Sequence, residues 1–212
     1  MKIRDIAPAE IEAESFRIID RHIEELRASI SVPEFSEQEY QVVRRMIHAT
    51  GDFEFLYNVR FKNRAVEAGI SAIRAGRNVL VDVNMAAMGI SIAMLERFGG
   101  RVICRIGEPE TARLAKRDGL TRCDAAFIRA ADDNIGIVAV GNAPTALLRT
   151  MKLMDSSALM PDLVIGVPVG FVNAAESKEM LLEKNHPFIT ALGNKGGTPV
   201  AVAAVNALIR LA

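Results

Sequence analysis

From residue 78 onward, short β-branched runs alternate with helical patterns, and that rhythm leaves few architectures open to the chain. The strand candidates are 78–83, 101–106, 136–140, 163–167 and 188–192. Helical patterns fill 90–98, 109–117, 122–132, 144–154, 173–184 and 198–211. Such alternation specifies a parallel sheet with right-handed crossovers and helices on both faces. Residues 8–28 carry Ile11, Ser15, Ile18, Ile19, His22, Ile23 and Leu26 on one helical stripe. A second helix begins at Ser36, where Ser36 and Glu39 match a capping box, carries Val42, Val43, Met46 and Ile47, and stops at Gly51. A third spans 63–75 and stops at Gly76. The expectation is one domain over 1–212, an α/β/α three-layer fold with about five mainly parallel strands. A helical amino-terminal layer (1–60) would lie on a doubly wound sheet (78–212).

Three glycine-bearing loops follow strand candidates and open into helices: VGNAPT at 140–145, IGVPVGF at 165–171 and LGNKGGT at 192–198. In an open α/β sheet such loops gather at the carboxyl ends of the strands. Glycine admits close backbone approach, and helix amino termini present N–H groups to anions. This edge is the expected ligand site, suited to an anionic molecule.

Twenty-six basic and 26 acidic residues cancel, so no global field draws the chain to nucleic acid or a lipid surface, and anion recognition must be local. Two cysteines, Cys104 and Cys123, are too few for a disulfide framework or a cysteine metal site; Cys104 reads as core. No signal-peptide core opens the chain, and no apolar run reaches the ~18 residues of a membrane span. A soluble cytoplasmic protein is expected, with no metal: the three histidines are scattered, without H-x-x-x-H or C-x-x-C spacing.

His48 stands out. It falls opposite the apolar arc of residues 40–50, with Gln41, Arg44 and Arg45, in a last turn whose dipole favours a cation. That suits a proton donor, and it equally suits an exposed histidine that helps cap the helix. His22 lies on the first helix's apolar stripe and reads as core or interface; His186, before Pro187, reads as a turn residue. Ser15 interrupts that stripe, either bonding back to the preceding turn or aimed at a ligand. Arg122, at the start of a helix capped by Thr121 and Asp124, offers a carboxylate fork or an ordinary surface charge. Lys178 stands beside the ligand edge or on a solvated helix face. Lys195, inside a glycine loop at the sheet edge, is placed to meet an anion. The GNKGGT run fits neither nucleotide fingerprint, and there is no G-x-S-x-G elbow.

Taken together the segments resemble the precorrin-8X methylmutase family, whose anaerobic members are cobalt-precorrin-8 methylmutases. The matching stretches are Glu14-Ser-Phe16, RMIHATGD at 45–52, Thr121-Arg122, GNAPTAL at 141–147, PVGFV at 168–172, AESK at 175–178 and GNKGG at 193–197; with Asn206-Ala-Leu208 they span most of the chain. The resemblance implies an isomerase that moves a methyl group from C11 to C12 of a contracted tetrapyrrole, giving hydrogenobyrinic or cobyrinic acid. It further implies a homodimer and no added cofactor. It makes His48 the catalytic acid and Ser15 a substrate contact, and puts Arg122 and Lys178 near the carboxylate arms; Asn142 joins them by its loop position alone. Cys123 departs from the small residue usual in the family, and Lys195 stands one position later than the family's basic residue. A corrinoid carrier without catalysis and a nucleotide-binding module are the other readings; substrate turnover and nucleotide binding, respectively, discriminate them.

Overall fold

Strand β4 (Ile135–Val140) is buried at all six positions, which makes it the centre of the sheet. A run apolar at nearly every position has no solvent face and suits a strand covered on both sides. Around it lie β1 (Val59–Lys62), β2 (Asn78–Val81), β3 (Val102–Ile103), β5 (Leu163–Gly166) and β6 (Phe188–Ala191), in the order β1-β6-β5-β4-β2-β3. All neighbouring pairs are parallel except β1–β6. The computed structural model describes residue 7 and residues 10–212.

The helices are α1 (Ile11–Ser29), α2 (Glu37–Thr50), α3 (Phe55–Asn58), α4 (Ala65–Arg74), α5 (Asn84–Gly89), α6 (Ile92–Leu95), α7 (Pro109–Asp118), α8 (Arg122–Arg129), α9 (Pro144–Asp155), α10 (Ala174–Leu182) and α11 (Thr198–Leu211). Side chains of α1, α2, α4, α5 and α11 build the core on one face of the sheet. Those of α8, α9 and α10 build a smaller core on the other. The three layers are thus as expected, with six strands rather than about five. The additional strand, β1, is an antiparallel edge, and α3 precedes it.

The helix expected over 90–98 begins at Ile92, after a break at 90–91 that separates it from a short helix, α5, that the pattern did not announce. Asn206 of α11 accepts from the Ser91 N–H at 2.8 Å and donates to the Gly89 carbonyl at 3.0 Å, so one side chain satisfies backbone on both sides of the break. Helix α5 ends there, and α6 runs into a 3-10 turn at Glu96–Phe98. Helix α1 also differs from its pattern. Its stripe is covered at Ile19 and Ile23, while Ile11 and Ile18 remain exposed. The first two residues expected of that helix lie outside the described ones.

Helix α2 is firmly anchored. The Ser36–Glu39 capping box forms, and Gly51 ends the helix in the left-handed conformation at φ 67°. Val42, Val43, Met46 and Ile47 are at most 1 % exposed. Each such burial contributes ~1.5–3 kcal/mol, whereas an exposed ion pair contributes ~0–1 kcal/mol. Apolar burial therefore fixes the platform on which His48 stands.

Candidate active site at the carboxyl edge of the sheet

The loops after β4, β5 and β6 share one edge because those strands are parallel, and backbone hydrogen bonds lace them together. Val169 N–H donates to the Gly141 carbonyl (3.3 Å), Gly170 N–H to Asn194 (3.2 Å) and Gly197 N–H to Val167 (2.8 Å). Glycine is required at 196, where a Cβ would stand 2.2 Å from the Val167 carbonyl oxygen.

Much of the anion-binding capacity expected of these loops is consumed within the protein. Asp82, fully buried just past β2, accepts from the N–H groups of Asn142 and Ala143 at 2.7 Å each and of Gly141 at 3.3 Å. The GNAP loop is therefore folded around an internal carboxylate, which occupies the position a ligand anion would take. Burial pushes the Asp82 carboxyl above its usual value, and the three N–H bonds oppose that shift. Asp82 is not among the residues that the sequence pattern singles out for chemistry. An acid directly after an apolar strand, V-L-V-D, is the signal that marks it.

Lys178 is fully buried, so the solvated helix face is not what forms. Its ammonium donates to the Lys195 carbonyl at 2.7 Å and holds the GNKGG loop from beneath. Burial lowers its pKa to about 8. A lysine depressed from 10.5 binds more protons unfolded than folded between pH 8 and 10.5, so it makes stability rise with pH across that window. In Lys178→Met that increment is expected to be missing. Urea midpoints of both proteins at pH 7.5 and 9.5 measure it, and an identical pH increment would contradict the assignment.

Lys195 points the other way and meets Asp52 at 2.6 Å and Glu54 at 2.9 Å. Both carboxylates hold its ammonium above the usual lysine range, Asp52 most strongly. This pairing ties the segment after α2 to the loop after β6. His48 lies one helical turn before Asp52, exposed, with its imidazole 5.1 Å from the Phe16 ring. Ser15, half-buried on α1, donates to the Ile11 carbonyl at 2.9 Å, the local back-bond.

Arg122 and Asn142 are exposed. The Thr121–Asp124 capping box forms at the start of α8, and Thr121 Oγ1 lies 3.4 Å from Thr145 Oγ1 at the start of α9, so Arg122 flanks the GNAP loop. His48 and Ser15 thus belong to the layer of α1 and α2, and Arg122 and Lys178, on α8 and α10, to the opposite layer; Lys195 and Asn142 lie on the loops between. His22 is half-exposed against Phe53 (ring centroids 4.3 Å), and the His186 Nε2 is buried without a hydrogen-bond partner among the described residues. Cys104 sits at the rim of the core rather than within it, its thiol 3.3 Å from the side-chain oxygen Oδ1 of Asn84. Burial, with Asp82 and Asp124 nearby, pushes the Cys123 thiol up to about 11, so neither cysteine is a thiolate nucleophile near neutrality. A cleft of about 320 Å³ lined by Glu110, Arg113, Leu114, Arg117 and Arg129 contains none of these residues. Its arginines are paired with Glu110, Asp118 and Glu108.

Among the described residues no helix is long and apolar enough to cross a membrane, and no group of three or more His, Cys, Asp or Glu residues is placed to hold a metal ion.

Comparison with known proteins supplies the remaining constraint. The precorrin-8X methylmutase family model matches residues 10–211. The cobalt-precorrin-8 methylmutase of Methanocaldococcus jannaschii is 44% identical over 183 residues, 85% of this chain and 83% of the relative. That of Priestia megaterium is 42% identical over 208 residues, 98% and 89% of the two chains. The crystal structure of precorrin-8X methylmutase from Thermus thermophilus superposes with a TM-score of 0.84 at 44% identity, covering 96% of this chain and 95% of that one. With this fold, these loops and a match from end to end of the described helices and strands, the chain belongs to the precorrin-8X methylmutase family.

Proposed function

We propose that the protein moves a methyl group from C11 to C12 of precorrin-8X or cobalt-precorrin-8, with His48 as the proton donor. A 1,5-shift around a conjugated ring needs neither nucleophile nor redox partner. It needs the electron demand of the ring changed, which protonation of the chromophore accomplishes. The carbon–carbon bond at C11 breaks as the bond at C12 forms within one molecule, and the proton serves as the trigger. Binding has to orient the macrocycle against that acid.

One observation carries the reading: the Lys195–Asp52 pair brings the turn bearing His48 to the glycine-loop edge, and the imidazole there is exposed. The carboxylate arms of the substrate would meet Arg122 and Asn142 on one flank and Ser15 on the other. Lys195 joins them when an arm displaces Glu54 from its ammonium, the Asp52 pair staying in place. Lys178 acts from beneath, through the Lys195 carbonyl it holds.

Arg122 is exposed and has no ion-pair partner among the described residues, so its guanidinium is free for a carboxylate. Arg122→Ala is expected to weaken tetrapyrrole binding by ~1.5–3 kcal/mol, the worth of a charge-assisted bond. A spectrophotometric titration reads this, and unchanged affinity removes Arg122 from the site. Turnover of purified protein on metal-free and on cobalt-loaded substrate, followed by the ultraviolet–visible spectrum, tests the activity itself and shows which form is used.

A homodimer is part of the same proposal. Ile11 and Ile18 on α1, Met85 and Met88 on α5, and Phe171 and Val172 on the β5–α10 loop are exposed apolar side chains. A second copy is the occupant that would cover them. Sedimentation equilibrium is expected to give twice the chain mass of 23.1 kDa; a monomer at micromolar concentration would contradict this.

A further inference from the structure

We infer that Phe16 is the positioning residue for the His48 imidazole, an inference that rests on His48 being the proton donor. No hydrogen bond or ion pair holds the His48 ring among the described residues. An exposed side chain on the last turn of a helix, so unrestrained, exchanges between its staggered rotamers. The ring contact the structure provides is with Phe16, which lies 5.1 Å from the imidazole, tilted by 50°; the Glu12 carboxylate adds a coulombic attraction but no hydrogen bond. Tilted pairs at that separation are the favoured arrangement of two rings.

Phe16 is itself clamped. Arg44 places its guanidinium carbon 4.3 Å from the ring centroid, and Arg45 at 5.1 Å. Neither guanidinium is loose. Arg44 is bonded to Asp20 (3.0 Å) and Gln41 (2.5 Å), and the Tyr40 hydroxyl donates to Asp20 at 2.6 Å; Arg45 is bonded to Glu12 at 3.0 Å. Guanidinium carbons over an aromatic face are attracted by its quadrupole. The chain of contacts runs from paired carboxylates through two arginines to one phenyl ring, and from that ring to the imidazole. It also joins α1 to α2, so Ser15 and His48, on different helices, are set relative to each other by the neighbour of one and the ring contact of the other. Phe16 touches neither substrate nor reacting atom in this account; it acts through His48.

The test uses the full-length protein with Phe16→Leu and Phe16→Tyr, and with Phe16→Met in case leucine is not tolerated. Histidine labelled with ¹³C at Cε1 gives signals from His22, His48 and His186, and the one lost in His48→Ala identifies itself. Phe16→Leu is expected to move the His48 signal toward its random-coil position and leave the other two in place. It should lower kcat roughly ten- to a hundredfold, the cost of an acid out of alignment, with KM little changed. Phe16→Tyr, which keeps the ring, should restore both readouts. An unmoved His48 signal, or a kcat in Phe16→Leu equal to wild type, overturns the inference. Should His48→Ala turn over like wild type, the acid assignment falls by itself, and the resonance shift still reports whether Phe16 holds the ring.

Discussion

His48→Ala is expected to stop methyl migration, lowering kcat by at least the ~10²–10⁴-fold that a positioned acid supplies, while tetrapyrrole binding persists. The two effects separate for a structural reason. His48 is exposed at the end of α2 and contributes no core surface; the helix is anchored by Val42, Val43, Met46 and Ile47. Alanine is a good helix former, so the change in stability should stay within ~0.5 kcal/mol. A loss of turnover would then report chemistry rather than unfolding. Single-turnover spectra with protein in excess make the measurement, and a variant that turns over near the wild-type rate would remove His48 from the mechanism.

The second large effect is on stability. Asp82→Ala is expected to cost ~3–5 kcal/mol, because it strips a buried network of the partner that satisfies three backbone donors. Gly141 and Ala143 are buried, so their N–H groups have no ready access to water. Asp82→Asn should cost less: it keeps an acceptor and the volume, and it removes a charge that burial already disfavours. Activity should fall in both variants with the loop that carries Asn142. Urea unfolding measures the difference, and a loss below ~1 kcal/mol in Asp82→Ala would show that the loop stands without its internal anion.

The parts of this molecule legible in its sequence are those governed by local chemistry. The capping boxes at Ser36–Glu39 and Thr121–Asp124, the left-handed Gly51 and the buried runs of β4, β5 and β6 follow from spacing within a few residues. What depended on distant partners was not legible. Strand β1 is four residues, V-R-F-K, whose weak alternation becomes a strand because β6 offers it an edge. The break between α5 and α6 is dictated by Asn206, more than a hundred residues away. Cys104 looks like core in an apolar run, yet it lies at the rim because β3 is only two residues long.

The site shows the same division. That glycine loops would collect at one edge follows from strand direction alone, and they do. What those loops bind within the protein does not. Lys178 reads as a solvated or ligand-facing cation on helical spacing, but α10 turns it inward beneath Lys195. The anion that fills the GNAP loop is Asp82, about sixty residues earlier in the chain. Charges and N–H groups that look free in a sequence are the ones a fold most readily uses on itself, since a buried donor without an acceptor is costly.

The central claim is an intramolecular methyl shift triggered by one imidazole. Substrate carrying ¹³C in the C11 methyl group, followed by NMR through a single turnover, tests it most directly. The account predicts that with wild-type protein the label appears in full at C12, with none released, and that with His48→Ala the label stays at C11 in a complex that still forms. Label reaching C12 at the wild-type rate without His48, or leaving the ring on its way, would contradict it.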